Sequence, residues 1–126
     1  MTLIDADPHL REVIGCAIKV HRMFGPGLID SVYEECLCHE RALAGIAFVQ
    51  QQKLPVVHKG HCLDCDLRMA IVVEQWLVLE INSVRMLHPV HEARLHTYLT
   101  LSGLRVGLLM NSNVVRLVDG MQHNVG

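Results

Sequence analysis

The chain has 126 residues, enough for one domain with a sizeable core and too few for two, so residues 1–126 are read as a single domain. Hydrophobic residues make up 51% and charged residues 19%, which excludes a disordered polar chain and leaves apolar surface for a partner to cover. The formal net charge of -2 excludes the broad basic field that sequence-independent nucleic-acid binding uses, so charge does not indicate a nucleic-acid partner, although local basic patches remain open.

No run approaches the roughly 18 apolar residues that cross a bilayer, and the opening MTLIDADPHLRE carries acids where an export signal needs cations. Five cysteines, an odd number in a chain with its own apolar core, read as reduced thiols rather than a disulfide framework. The expectation is a cytoplasmic protein with no membrane association.

Asp7 as N-cap and Pro8 at the first helical position open a helix in which Leu10, Val13, Ile14, Ala17, Ile18 and His21 recur at helical spacing. It is predicted to end near Phe24, where Gly25-Pro26-Gly27 breaks it. A second helix begins near Asp30 or Ser31, where Ser31 to Glu34 has the form of a capping box, and stops at Gly45. Residues 46–52, 54–58, 61–65, 67–73 and 76–82 are short β-prone runs, with turns at Lys59-Gly60 and Glu74-Gln75, and read as an antiparallel meander.

Pro89 opens a third helix whose apolar side is expected to carry Val90, Ala93, Leu95, Tyr98, Leu99 and Leu101, with Gly103 ending it. Residues 104–111 form an almost wholly apolar strand of the kind buried on both faces. A last strand is expected over Val114 to Val118, leading through Asp119-Gly120 to a frayed tail. Helices, a meander, a crossover helix and a buried strand describe a mixed α/β (α+β) sheet with helices packed on it.

Three blocks, IGCAIKVHRMFGPGLIDSVYEECL (14–37), LPVVHKGHCLDCDLRMAIVVEQWLVLEINSV (54–84) and LHPVHEARLHTYLTLSGLRVGLLMNSNV (87–114), cover nearly the whole chain. Through them the chain resembles the GxxExxY family of small bacterial proteins, within the PD-(D/E)XK nuclease-like superfamily. The resemblance implies an αβββαβ core, here with an extra N-terminal helix. It also implies a strand presenting an aspartate and a next strand presenting a glutamate and a lysine two positions apart. Two carboxylates of that kind hold Mg²⁺ or Mn²⁺ through hard oxygen ligands, and the lysine orients the water that the metal acidifies. Residues two apart on a strand share a face, which is why the spacing matters.

At the aspartate position this chain has Ala70, which offers no oxygen. Glu80 is retained, the lysine position is Asn82, and the glutamine of a stretch like EAQL is Arg94. Asp30 stands where the signature has glutamate. The resemblance therefore implies a scaffold kept without its cutting site, a protein that acts by binding and needs no cofactor. Its partner is expected to be another protein, a second copy or nucleic acid, held in a cleft formed by Tyr33, Glu34, Arg68, Glu80, Asn82, Glu92 and Arg94.

Two rival readings come from other classes. In one, Asp64, Asp66 and Glu80 form a displaced acidic cluster that binds Mg²⁺ or Mn²⁺, with Arg68 or Arg94 in place of the lysine. Asp66, however, lies four residues from Ala70, roughly 13 Å along a strand. In the other rival the chain is a structural oligomer, on the strength of its apolar content.

Plain structural roles are expected for most other polar residues. Glu80 is expected to be half-buried and paired with Arg68 or Arg94, which would lower its pKa. Asn82, at a strand end, is expected to satisfy backbone groups. His58, His61, Cys62 and Cys65 are zinc-competent types, but alternation sends Cys62 to the opposite face from His61 and Cys65. Cys36 and Cys38 read as small apolar fillers, and His88, His91 and Glu92 as N-terminal decoration of the third helix. Tyr33, Trp76 and Tyr98 read as core residues rather than a stacking platform.

Overall fold

The computed structural model describes residues 8–63 and 66–125. The expected Asp7 cap, Asp64 and Cys65 lie outside the described residues. The first helix, α1, spans Pro8–Phe24 and buries Leu10, Val13, Ala17, Val20 and His21 on one face. It stops because Gly25 takes φ 74°, a left-handed conformation that glycine adopts without steric cost. The Gly25 N–H then returns to the His21 carbonyl at 2.8 Å.

Helix α2 spans Asp30–Ala44. The expected capping box at Ser31 does not form, because the helix already begins one residue earlier. The Tyr33 N–H reaches the Ile29 carbonyl at 3.0 Å, and the Asp30 carboxylate accepts the Ser31 N–H at 2.9 Å. Tyr33 is fully buried, and its hydroxyl donates to the Ala17 carbonyl at 2.6 Å, fixing α2 against α1.

Five short strands follow: β1 (Phe48–Lys53), β2 (Val56–His58), β3 (His61–Leu63), β4 (Arg68–Val73) and β5 (Leu77–Asn82). They do not form a simple meander. β1 pairs antiparallel with β4 and β4 with β5, while β2 and β3 make a separate two-stranded hairpin. The base of that excursion is closed by the Leu54 N–H donating to the Leu67 carbonyl at 2.8 Å. Both predicted turns are present. Lys59 and Gly60 have φ 49° and 78°, and Glu74 and Gln75 have φ 54° and 51°, the positive pairs that a tight hairpin turn needs.

Helix α3 (Pro89–Ser102) crosses back so that β6 (Val106–Asn111) lies parallel to β5. Only part of its expected apolar side is buried: Leu95, Tyr98 and Leu99 are covered, whereas Val90 and Leu101 remain exposed. All six residues of β6 are buried, as a strand covered on both faces requires. Residues 114–118 are not the last strand. A short 3-10 turn, Leu117–Gly120, precedes β7 (Met121–Val125), which pairs antiparallel with β6 where a frayed tail was expected. Met121 packs on the core, so the apolar signal of that edge lies after the turn.

The sheet order is β1-β4-β5-β6-β7. α1 and α2 cover one face through Val13, Ala17, Leu37, Ile71, Leu79 and Leu108. α3 covers the other through Leu95, Leu99, Met69, Val72, Val78 and Leu109. The result is a mixed α/β architecture in three layers, the αβββαβ order with one added helix before it and one edge strand after it.

Candidate functional site

A cleft of about 270 Å³ opens where β4 and β5 part. Their ladder runs from Val73↔Leu77 to Ile71↔Leu79, although β4 continues to Arg68 along β1 and β5 continues to Asn82 along β6. Ala70 is the first residue past the divergence. Its N–H donates not to a backbone carbonyl but to Glu80 Oε1, at 3.0 Å.

The chain is also distorted on the other side of Ala70. Gln51 of β1 falls between the pairs Gln50↔Ile71 and Gln52↔Met69, and adopts φ 55°, a left-handed conformation costly for a residue with a side chain. Alternation breaks at the same point. Met69 and Val72 both pack on the α3 side, although period-two geometry places them on opposite faces. The twist brings Ala70 and Arg68 to the cleft wall, with Asp30, Ser31 and Glu34 of α2 on one side and Arg94 of α3 on the other.

Glu80 is the electrostatic centre of this cleft. Burial drives its pKa from the ordinary 4.5 to about 7, the Ala70 hydrogen bond opposes that rise, the Glu34 carboxylate adds to it, and Arg94 lowers it least. The expected ion pair that would depress this group is absent among the described residues. Arg68 is turned to Asp66 instead, Nε to Oδ1 at 2.7 Å, and its Nη1 reaches the Gln51 carbonyl at 3.4 Å. Dehydration therefore outweighs the Arg94 guanidinium.

Glu34 is engaged by amides. Gln50 Nε2 donates to its Oε2 at 2.7 Å, and Gln51 Nε2 sits 3.0 Å from both of its carboxylate oxygens. Gln50 Nε2 also reaches Glu35 Oε1 at 2.7 Å.

Of the predicted cleft residues, Glu34, Arg68, Glu80, Asn82 and Arg94 are brought together, with Asp30 and Ala70 beside them. Tyr33 lies in the core and Glu92 is exposed outside the lining. Burial and the Glu80 charge raise the Tyr98 pKa. The Asn82 carbonyl accepts the Ser112 N–H at 2.9 Å, while its side chain faces the cleft. Ser31 and Gln51 line the cleft unforeseen. The run Gln50-Gln51-Gln52 in a β-prone segment was the available signal, since strand amides must find polar partners.

The resemblance implies a divalent ion at this cleft. Among the described residues no group of three His, Cys, Asp or Glu side chains is placed to hold a metal ion. Ala70 contributes no oxygen, Glu34 is held by two glutamines, and Glu80 already accepts an N–H. This set does not fit a hard cation, which calls for several oxygens free to converge on it. Asp66, one of the three acids of the displaced cluster, is tied to Arg68 outside the cleft lining.

His58, His61 and Cys62 are exposed on the hairpin. Among the described cysteines, Cys16 and Cys38 are buried in the core, Cys36 is partly buried and Cys62 is exposed. His91 does more than decorate α3: its Nδ1 accepts the His88 N–H at 2.9 Å and caps the helix start.

No helix among the described residues is long and apolar enough to cross a membrane. No curated protein matches the chain, and no solved structure does. The model of the PD-(D/E)XK nuclease superfamily matches residues 7–123. That span takes in both helical layers, the sheet as far as the first half of β7 and every residue of the cleft, and the chain belongs to the PD-(D/E)XK nuclease superfamily.

Proposed function

We propose that this chain is a non-cleaving member of its superfamily, of the GxxExxY type, and that it acts by binding. One observation carries the reading: Ala70, at the position where the resemblance puts a metal-binding aspartate, spends its backbone N–H on the neighbouring Glu80 carboxylate. The cleft thereby satisfies its own acid internally. Asn82 adds a neutral amide where the cutting chemistry calls for a cation.

The charge of the cleft favours polypeptide over phosphodiester. Its walls interleave Asp30, Glu34 and Glu80 with Arg68 and Arg94, and a uniformly negative backbone would meet acids as often as guanidinium groups. A partner protein with both signs of charge is matched better. An odd number of cysteines in a chain with its own apolar core supports work in the reducing cytoplasm.

The test is an assay on plasmid, single-stranded DNA and RNA with Mg²⁺ or Mn²⁺, beside calorimetric titration of Mn²⁺. The expected outcome is intact substrate and no heat of metal binding at the cleft. Metal-dependent scission abolished by Glu80→Ala would overturn the proposal.

A further inference from the structure

Away from the cleft, two concave surfaces of opposite character flank the outer face of α1. On one flank, Val20, Met23 and Phe24 meet Cys36 of α2 across an apolar groove of about 300 Å³, with Glu35 and Glu40 at its rim. Met23 is 70% exposed and Phe24 50%. On the other flank, Ile18 and Arg22 meet the 115–118 segment across a cleft of about 200 Å³ that also carries Arg116 and no carboxylate. Val115 there is 88% exposed.

Single exposed apolar side chains are ordinary. Here they gather at one end of one helix, and the segment bearing Val115 is held in place. His21, buried on α1, donates from Nε2 to the Val114 carbonyl at 2.7 Å, which fixes the ring nitrogen as the donor because a carbonyl only accepts.

The two rims carry opposite charge, and a second copy of the chain brings both. At about 100° per residue, Ile18 and Arg22 lie at one margin of the exposed stripe of α1 and Met23 at the other. A two-fold axis running along the helix sets two α1 helices side by side and parallel. It lays each arginine flank over the other copy's acidic groove, twice, in a closed assembly. Lys19 lies between the margins, and its flexible stem can carry the ammonium out to the solvent.

We infer that the protein self-associates across α1, with Val115 of each copy entering the Met23–Phe24 groove of the other and Arg116 meeting Glu40 at the rim. The surface does not include Ala70 or Glu80, so this inference stands or falls separately from the reading of the cleft.

Sedimentation velocity and light scattering on the full chain, from about 1 to about 200 µM, test it. The wild type is expected to move from the 14.2 kDa chain mass to twice that mass with rising concentration. Val115→Glu, a change at a solvent-facing position, is expected to weaken association at least about tenfold. Arg116→Glu and Glu40→Arg are each expected to weaken it, and their combination to restore it to within about threefold of wild type, since the reversed pair re-forms the contact. Restoration also excludes misfolding as the cause of the single losses. A monomer at every concentration, a dimer indifferent to Val115→Glu, or a double variant no better than the single ones would overturn the inference.

Discussion

The Ala70 N–H and the Glu80 carboxylate, 3.0 Å apart, close the gap where two neighbouring strands leave one another. In an unbroken ladder that N–H would find a carbonyl. At this position the sheet has run out of one, and a side chain from the adjacent strand takes its place. A carboxylate whose burial already favours its neutral form is thus also a structural acceptor.

The first prediction concerns pH. The folded Glu80 pKa is raised to about 7 from the ordinary 4.5, so the folded state holds this proton over a window in which the unfolded chain has released it. This group's contribution to stability is therefore fully present below about pH 4.5 and lost as pH rises through about 7. Urea unfolding from pH 5 to pH 8 should show wild-type stability declining. Glu80→Gln, which keeps an oxygen for the Ala70 N–H, should decline less and overtake the wild type at pH 8.

Ala70→Asp puts a second carboxylate against Glu80. Two like charges sharing a dehydrated site resist ionising together, so the variant should be less stable than wild type at pH 7.5. Mn²⁺ should recover part of that loss by binding the pair. A thermal melt with and without the ion reads both effects, and a wild type equally stabilised by Mn²⁺ would contradict the argument.

Tyr33→Phe removes the hydroxyl that donates to the Ala17 carbonyl in the fully buried seam between α1 and α2. The expected cost is about 1 kcal/mol in a denaturant titration, the usual net worth of one such bond. Self-association should be unaffected, because Tyr33 does not reach the outer face of α1.

Gly107 of β6 lies directly beneath α3, and a Cβ built there would come within 2.9 Å of the Leu95 side chain. Gly107→Ala should destabilise by about 1–3 kcal/mol through overpacking. Combining it with Leu95→Ala should cost less than the sum of the two single changes, the signature of a shared contact. Additive costs would place the strain elsewhere.

The helices were legible because each carries local punctuation: Pro8 and Gly25, then Gly45, then Pro89 and Gly103. The strand partners were not. Nothing local in Val56–Leu63 separates a hairpin standing outside the sheet from two strands within it, since that choice is made by long-range pairing of β1 with β4. Val114 to Val118 is β-prone and reads as the last strand, whereas β6 pairs with Met121–Val125 beyond the turn. At the site, residue types indicated which chemistry was missing. The direction of the Glu80 shift was beyond the sequence, because it depends on how much water the fold removes and on Arg68 turning to Asp66.

Gln51 has one more effect. β1 lies at the margin of the sheet, the position at which a stray chain can stack alongside. The left-handed residue in the middle of the strand breaks its rhythm after Gln50, so an incoming strand would lose register after a few residues. A kink beside the cleft thus makes the outer edge a poorer template for an added strand.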